Sequence, residues 1–306
     1  MKLSIIVPCY NEEGVVGLFY EEAIKHISKL DLDYELIFVN DGSKDKTVED
    51  CQKLKELDDN IIIIDFSRNF GKEAAMLAGL SESCGDLVVI MDADLQDPPY
   101  LLQEMVDSIL KEGYDSVATR RVDRKGEPVI RSFFARQFYK LINKMTEVEI
   151  VDGARDYRMM TRQMVNSIIN LPEYNRFSKG IFTWVGFETK YIEFENVERV
   201  AGETKWNFFS LFKYAIEGIL AYTIAPLHLA IYLGLMMSTV GFVYMLYIVI
   251  KAIFFVEVVQ GYPSTIVVIT LIGGIQLIVL GIFGQYLAKT YMEVKGRPSY
   301  IIKRRI

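Results

Sequence analysis

The sequence predicts an α/β fold with a mostly parallel sheet, followed by helices that associate with a membrane. Short apolar segments alternate with amphipathic segments in the first third of the chain, which is typical of parallel strands covered by helices. Two long apolar segments lie near the C-terminus. They account for much of the 51% apolar content of the 306 residues.

The predicted strands and helices alternate in chain order. Strands are predicted over 3–8, 34–41, 61–67 and 86–94, and helices over 12–30, 45–57 and 71–83. Because the strands are short and almost entirely apolar, we expect a sheet that is covered on both faces. Ligands of such sheets bind outside the carboxyl ends of the strands.

Polar side chains follow each predicted strand at that edge. They are Asn11 and Glu12 after the first strand, Asp41 after the second, Asp65 and Arg68 at the third, and Asp92 and Asp94 after the fourth. Neither a GxGxxG nor a GxxxxGK[ST] motif is present in the sequence. The sheet is therefore expected to bind its ligand through carboxylates rather than through a glycine-rich loop.

The segment MDADLQDPP, residues 91–99, places three carboxylates directly after an apolar strand. If the backbone is still extended, Asp92 and Asp94 point the same way and repel each other unless a positive charge lies between them. This spacing indicates a divalent cation site.

Composition excludes several other classes of function. The net charge of −6 disfavours non-specific nucleic-acid binding, and only two histidines are present, so histidine-based catalysis is nearly excluded. The three cysteines, Cys9, Cys51 and Cys84, lack metal-ligand spacing and are expected to be reduced core thiols. The N-terminal apolar run is too short for a signal peptide.

Two C-terminal segments, 226–255 and 264–288, are each long enough to cross a membrane, although buried core helices are the alternative. The connecting residues 256–263 contain no lysine or arginine, whereas residues 289–305 contain six. The positive-inside rule therefore predicts two spans with both termini in the cytoplasm. Residues 207–223 are predicted to form a helix in the membrane interface or, alternatively, one packed on the globular domain.

Six motifs together resemble the family-2 GT-A glycosyltransferases, most closely those that transfer a sugar to a polyprenyl phosphate. The motifs are SIIVPCYNEE, VNDGSKDKT, SRNFGKEAAMLAG, MDADLQDPP, VDGARDYRMMTR and RVAGETKW. The resemblance covers essentially the whole chain. It implies a GT-A Rossmann-like catalytic domain over 1–206, an interfacial helix over 207–225, a transmembrane region over 226–290 and a basic cytoplasmic tail over 291–306.

The resemblance also implies the donor site. It assigns the metal, Mg²⁺ or Mn²⁺, to three residues of one motif, and the nucleotide to residues at several strand ends. The metal residues are Asp92, Asp94 and Gln96, and the nucleotide residues are Pro8, Tyr10, Glu12, Asp41, Asp65 and Asp92. Arg68 and Lys72 could contact the diphosphate, although helix capping and solvation are equally open for them.

Near the acceptor, the resemblance places Asp156 and Arg158, which with Asp94 form the implied catalytic group. A phosphate acceptor, with a second pKa of about 6, barely needs a general base, so Asp156 is expected to orient and Arg158 to neutralise. An ordinary surface ion pair is the alternative. The implied ligands of the acceptor phosphate are Arg131, Arg199 and Lys205. The alternatives are attraction of Arg199 and Lys205 to membrane headgroups and ordinary packing of Arg131.

The implied activity is inverting transfer of a sugar, with UDP-glucose as the best guess, to undecaprenyl phosphate. GDP-mannose with a dolichyl-type acceptor, a processive polysaccharide synthase and a non-catalytic membrane scaffold remain as alternatives. The implied partners are the nucleotide sugar, the polyprenyl phosphate and the membrane, without nucleic acid. The resemblance also implies a homo-oligomer, with a tetramer as the candidate state. It further implies location in a bacterial plasma membrane with the catalytic domain in the cytoplasm.

Overall fold

The computed structural model describes residues 1–121, 151, 153–194, 225–254 and 261–306 of the chain. The chain divides into two compact units. One comprises Met1–Ala215 together with Arg297–Ile306, and the other comprises Ile216–Gly296. The first unit is an α/β structure and the second is helical.

The first unit alternates strands and helices as far as β5. Its elements are β1 (Lys2–Cys9), α1 (Val15–Ile27), β2 (Asp33–Asn40), α2 (Thr47–Leu57), β3 (Ile61–Phe66), α3 (Lys72–Glu82), β4 (Leu87–Ile90), α4 (Leu102–Leu110), β5 (Ser116–Arg121), β6 (Ala154–Thr161), α5 (Arg162–Ile169), α6 (Ser178–Trp184), β7 (Thr189–Phe194) and β8 (Ile302–Arg305). A short 3-10 turn, Pro99–Leu101, precedes α4.

The strands form one mixed sheet in the order β7-β5-β6-β4-β1-β2-β3-β8. Four neighbouring pairs are parallel, β1 with β2 and β4, β2 with β3, and β5 with β7. The predicted mostly parallel sheet is confirmed. The antiparallel pairs involve β6, which lies between β4 and β5, and β8, which pairs with β3.

The core lies between the sheet and its helices, and α3 packs closely on β1. Strand residues such as Ile5, Ile37 and Ile63 are fully buried. A Cβ atom at Gly79 of α3 would overlap the side chain of Ile6 in β1, so the helix lies directly on that strand. The ion pair of Lys72, the first residue of α3, with Asp92 places the N-terminus of the helix just beyond the end of β4.

Strand β4 ends at Ile90, four residues before the end predicted from its apolar run. The backbone N–H groups of Asp92 and Gln96 donate to the side chains of Asp97 and Asp94, at 3.0 and 3.1 Å. Such local side-chain bonds compete with the strand ladder, so the chain turns here, with Leu95 at a φ of 57°. Strand alternation therefore does not determine how Asp92 and Asp94 are oriented.

The C-terminal segment differs from the predicted tail over 291–306, because part of it belongs to the sheet. Strand β8 pairs antiparallel with β3, and Ile63 and Ile306 exchange two backbone hydrogen bonds of 2.9 and 3.0 Å. The ring of Tyr300 stacks on Phe66 at 5.2 Å between centroids. Pairing with β8 satisfies backbone groups that would otherwise be exposed at an edge strand.

The second unit contains two long helices, α7 (Ala225–Phe254) and α8 (Tyr262–Val294). The segments Pro226–Tyr244 and Leu271–Val294 are long and apolar enough to cross a membrane. Many of their large apolar side chains are exposed, as the membrane prediction requires and a buried core would not. Residues 207–224 of the predicted interfacial helix and residues 255–260 of the connecting loop lie outside the described residues.

We predict that Arg304→Ala destabilises the first unit by about 1–3 kcal/mol, because the buried carboxylate of Asp65 loses its guanidinium partner. Lys303→Ala, an exposed neighbour on the same strand, should change stability by less than about 0.5 kcal/mol. Thermal unfolding of both variants in detergent measures the difference. Equal melting temperatures would show that β8 does not contribute through this ion pair.

Candidate functional site

The candidate site lies at the carboxyl ends of β1, β2 and β4, where β6 brings a further carboxylate. In the antiparallel pair of β4 and β6, Ile90 lies opposite Arg158, so Asp156 falls level with Asp92, just beyond the end of β4. The ammonium of Lys72 lies 2.7 Å from Asp92 Oδ1 and 2.7 Å from Asp156 Oδ2. One cation thus joins two carboxylates that are 64 positions apart in sequence (156 − 92).

Asp41 fixes the loop that delivers Lys72 to this position. Its carboxylate accepts the backbone N–H groups of Phe70 at 2.6 Å and Gly71 at 2.9 Å, and its own N–H donates to the carbonyl of Cys9 at 2.9 Å. Gly42 has a φ of 66°, and a Cβ atom there would overlap the backbone of Arg68 and Asn69. Hydrogen bonds and close packing therefore fix the loops after β2 and β3 against each other.

The turn after β4 is held by its own side chains and by Arg155. Asp97 is only 1% exposed and accepts both the N–H of Asp92 and the guanidinium of Arg155, the latter at 3.2 Å. Arg155 also donates to Gln96 Oε1 at 3.5 Å. Arg155 was not predicted from the sequence as a site residue. Its position next to Asp156 in the motif VDGARDYRMMTR was the signal that could have identified it.

The charges in the cluster reinforce one another. Burial opposes ionisation of Asp156, but the charges of Lys72 and Lys179 outweigh it and hold the pKa of Asp156 well below its usual range. Partial desolvation of the ammonium between the two carboxylates opposes the charge of Lys72, yet Asp156 and Asp92 raise its pKa. Burial and the charge of Asp92 raise the pKa of Asp97. At neutral pH, Lys72 and Asp156 are therefore both charged.

The predicted nucleotide residues Pro8, Tyr10, Glu12 and Asp41 lie on or directly after β1 and β2, which are neighbouring strands. The N–H of Glu12 donates to Thr47 Oγ1 at 2.8 Å, and the N–H of Asn11 donates to Ser43 Oγ at 2.9 Å. These contacts tie the loop after β1 to the loop after β2. The structure brings this part of the predicted group together.

Asp65, which was predicted to contact the nucleotide, has its carboxylate bound by other protein groups. Its Oδ1 accepts from Asn40 Nδ2 at 2.8 Å, and its Oδ2 accepts from Arg304 Nε and Nη2 at 2.9 and 2.7 Å. The C-terminal strand, which was predicted as a tail, supplies this arginine. Asp65 therefore joins β2, β3 and β8.

Arg158, which was predicted to neutralise charge near the acceptor, is buried in β6. It is 3% exposed, its guanidinium donates to Ser116 Oγ at 3.1 Å, and it covers the ring of Phe182 at 4.7 Å. Its Nε atom has no hydrogen-bond partner among the residues that the structure describes. Burial lowers its pKa. Because Arg158 is level with Ile90 of β4, it is set back from the strand ends where Asp92 and Asp156 lie.

Glu73, which follows Lys72 on α3, is a further titratable group beside the cluster. Its carboxylate accepts the backbone N–H of Ser178 at 3.0 Å and the Ser178 hydroxyl, and so attaches the start of α6 to α3. Burial raises the pKa of Glu73 to about 7, against the opposing effect of those hydrogen bonds. Nothing in the sequence pattern distinguished this glutamate from a solvent-facing residue of the first helical turn.

The predicted acceptor-phosphate residues Arg131, Arg199 and Lys205 lie outside the described residues. The described part of the chain therefore contains the residues predicted for the donor side and, from those predicted for the acceptor side, Asp156 and Arg158.

The donor atoms present are suited to a hard divalent cation. Asp92 and Asp94 supply carboxylate oxygens and Gln96 an amide oxygen, and Asp92 already binds a cationic ammonium. Among the described residues, no three His, Cys, Asp or Glu side chains form a metal-binding group. Mg²⁺ is commonly held by only one or two carboxylates together with substrate phosphates, so this set fits a cation that completes its shell with a diphosphate.

Comparisons with known proteins identify the family of the chain. Residues 4–169 match the model of Glycosyl transferase family 2. A putative glycosyltransferase, CsbB, of Bacillus subtilis is 43% identical over 98% of this chain and 91% of its own length. A prophage bactoprenol glucosyl transferase homolog of Escherichia coli is 40% identical over 99% of each chain. The chain therefore belongs to glycosyl transferase family 2 and is a glycosyltransferase.

Among solved structures, the chain resembles glucosyl-3-phosphoglycerate synthase from Mycobacterium tuberculosis in complex with Mn²⁺, UDP-glucose and phosphoglyceric acid. The TM-score is 0.45 at 19% identity, over 72% of this chain and 77% of that one.

We predict that the natural protein loses folding stability as pH rises and that Glu73→Gln removes this loss. Between pH 4.5 and about 7, Glu73 is protonated in the folded state but ionised in the unfolded chain, so unfolding releases a proton. Stability of the natural protein should therefore fall as pH rises through this window, by roughly 1–3 kcal/mol relative to the variant.

Melting temperatures measured from pH 5 to 8 test this expectation. Glu49→Gln, at an exposed position of α2, is the matched control and should follow the natural protein. Parallel curves for the natural protein and Glu73→Gln would contradict the raised pKa.

Proposed function

We propose that this glycosyltransferase moves a hexose from a nucleotide sugar, with UDP-glucose as the favoured donor, to undecaprenyl phosphate. The observation that carries the proposal is the cluster of Asp92, Asp156 and Lys72 at the sheet edge, in a chain that also has two helices long and apolar enough to span a membrane. The full-length relative named a bactoprenol glucosyl transferase homolog supports the choice of acceptor.

The charge state of Asp156 supports a phosphate acceptor. A carboxylate with a strongly lowered pKa is a poor general base at neutral pH, because it gives little driving force for proton transfer. A phosphate needs no such base, since its second pKa is about 6. A phosphate oxygen attacks the anomeric carbon as the bond from that carbon to the diphosphate oxygen breaks. The configuration inverts, and the nucleoside diphosphate leaves.

In this reaction Asp92, Asp94 and Gln96 would hold Mg²⁺ or Mn²⁺, which when bound stabilises the charge of the leaving diphosphate. Asp156, fixed by Lys72, orients groups on the acceptor side. Pro8, Tyr10, Glu12 and Asp41 are assigned to the base and ribose of the donor. Arg131, Arg199 and Lys205 are assigned to the acceptor phosphate, where arginine and lysine provide charge-assisted hydrogen bonds.

For the whole molecule we propose two membrane spans in a bacterial plasma membrane, with the catalytic unit and both termini in the cytoplasm. The absence of lysine and arginine from 256–263 and their abundance after residue 288 support this orientation. We also propose a homo-oligomer, with a tetramer as the candidate state, which light scattering of the detergent-solubilised protein would measure.

The function is tested with purified full-length protein, undecaprenyl phosphate, Mg²⁺ or Mn²⁺ and a panel of radiolabelled nucleotide sugars, followed by lipid extraction. UDP-glucose should label a lipid of one added hexose. Labelled polymer would indicate a processive synthase. Absence of labelled lipid with every donor would favour a non-catalytic scaffold.

We predict that Asp94→Asn lowers transfer in this assay by at least about a hundredfold, because it removes a charged metal ligand. Asparagine retains an oxygen that can accept the N–H of Gln96, so the turn and the melting temperature should be preserved. The control is Asp107→Asn on α4, whose carboxylate pairs with Lys111. Full activity of Asp94→Asn, or of the natural protein with excess chelator, would contradict the metal assignment.

Membrane orientation gives a separate prediction. A cysteine at Gly261, in a Cys84→Ser background, should react with a membrane-impermeant maleimide in intact cells. A cysteine at Ser299 in that background should react only after permeabilisation. The natural Cys84, an exposed thiol of the catalytic unit, serves as a second cytoplasmic control. The reverse labelling pattern would overturn the orientation.

A further inference from the structure

Lys72 makes two short ion pairs with carboxylates that the proposed function uses differently. Its ammonium lies 2.7 Å from Asp92, a proposed metal ligand, and 2.7 Å from Asp156, on the acceptor side. The Lys72 side chain as a whole is 41% exposed. An ammonium is a compact point charge with three donors, and here it prevents the repulsion that two adjacent carboxylates would otherwise experience.

The position of Lys72 is determined by a residue of the proposed nucleotide pocket. Lys72 is the first residue of α3, directly after Gly71, and Gly71 and Phe70 both donate their N–H groups to Asp41. Gly71 has a φ of 98°, a conformation that favours glycine. Two residues of backbone therefore connect the nucleotide pocket to the ammonium at the carboxylate cluster.

We propose that Lys72 occupies the place of the divalent cation at Asp92 before the donor binds, so that the cation binds together with the donor diphosphate and not before it. This inference rests on the proposed function. A divalent cation at Asp92 and the ammonium repel each other while both share the same carboxylate. A diphosphate removes that conflict, because its negative oxygens provide a new acceptor for Lys72 and ligands for the cation.

The proposal predicts opposite effects on two affinities when the ammonium is removed. In Lys72→Met, free Mn²⁺ should bind more tightly, by about tenfold, because its competitor at Asp92 is gone. UDP in saturating Mn²⁺ should bind about tenfold or more weakly, because the diphosphate loses a charge-assisted contact. Lys72→Arg, which keeps the charge, should retain most of the competition with Mn²⁺.

Both affinities are measured on full-length protein in detergent, with free Mn²⁺ followed by electron paramagnetic resonance and UDP by calorimetry. Lys179→Met is the matched charge control, because the charge of Lys179 acts on Asp156 while no ion pair with Asp92 is present among the described residues. It should change the Mn²⁺ affinity by less than Lys72→Met does. Lys53→Met, on the exposed face of α2, should change neither affinity.

An unchanged Mn²⁺ affinity in Lys72→Met would show that the ammonium does not compete with the cation, and the proposal would be wrong. If Lys72→Met weakens free Mn²⁺ and UDP together, with a lowered melting temperature, Lys72 only supports the fold and the proposal is wrong. If Lys179→Met tightens Mn²⁺ as much as Lys72→Met, general charge accounts for the effect, and the proposal is again wrong. In each of these cases the proposed transferase activity stands. If the natural protein binds no Mn²⁺ even with UDP, both this proposal and the proposed metal-dependent transfer are wrong.

Discussion

The ammonium of Lys72 between Asp92 and Asp156 is the interaction on which the organisation of the site depends. The end of a parallel sheet collects side chains from separate parts of the sequence, and here these side chains are carboxylates that repel one another. The protein balances them with a cation or with backbone N–H groups. Lys72 pairs with Asp92 and Asp156, Arg155 pairs with Asp97, and the N–H groups of Phe70 and Gly71 stabilise Asp41.

This charge balance supports the proposed chemistry. Because Asp156 remains ionised and paired, it is suited to orienting an acceptor rather than to removing a proton. A phosphate is a nucleophile that needs no proton removed at neutral pH. Membership of glycosyl transferase family 2 and the two apolar helices then agree with a reaction between a soluble donor and a lipid phosphate.

Local patterns in the sequence predicted the parallel strands and the carboxylates at their ends, since both depend on short apolar runs and on the residues that follow them. They did not predict the positions that antiparallel pairing determines. The register of β6 against β4 brings Asp156 to Asp92 and keeps Arg158 inside the sheet, and β8 gives Arg304 to Asp65. Such pairings join distant segments, and apolar periodicity carries no information about register between them.

Diffraction from crystals of the full-length protein with Mn²⁺ and UDP tests the central claim, that this carboxylate cluster holds a cation and a diphosphate, most directly. We predict an anomalous difference peak within about 2.0–2.6 Å of oxygens from Asp92, Asp94 and the diphosphate. The Lys72 ammonium should then lie against the phosphates. A Mn²⁺ peak remote from Asp92 and Asp94, or UDP bound away from this sheet edge, would contradict the account.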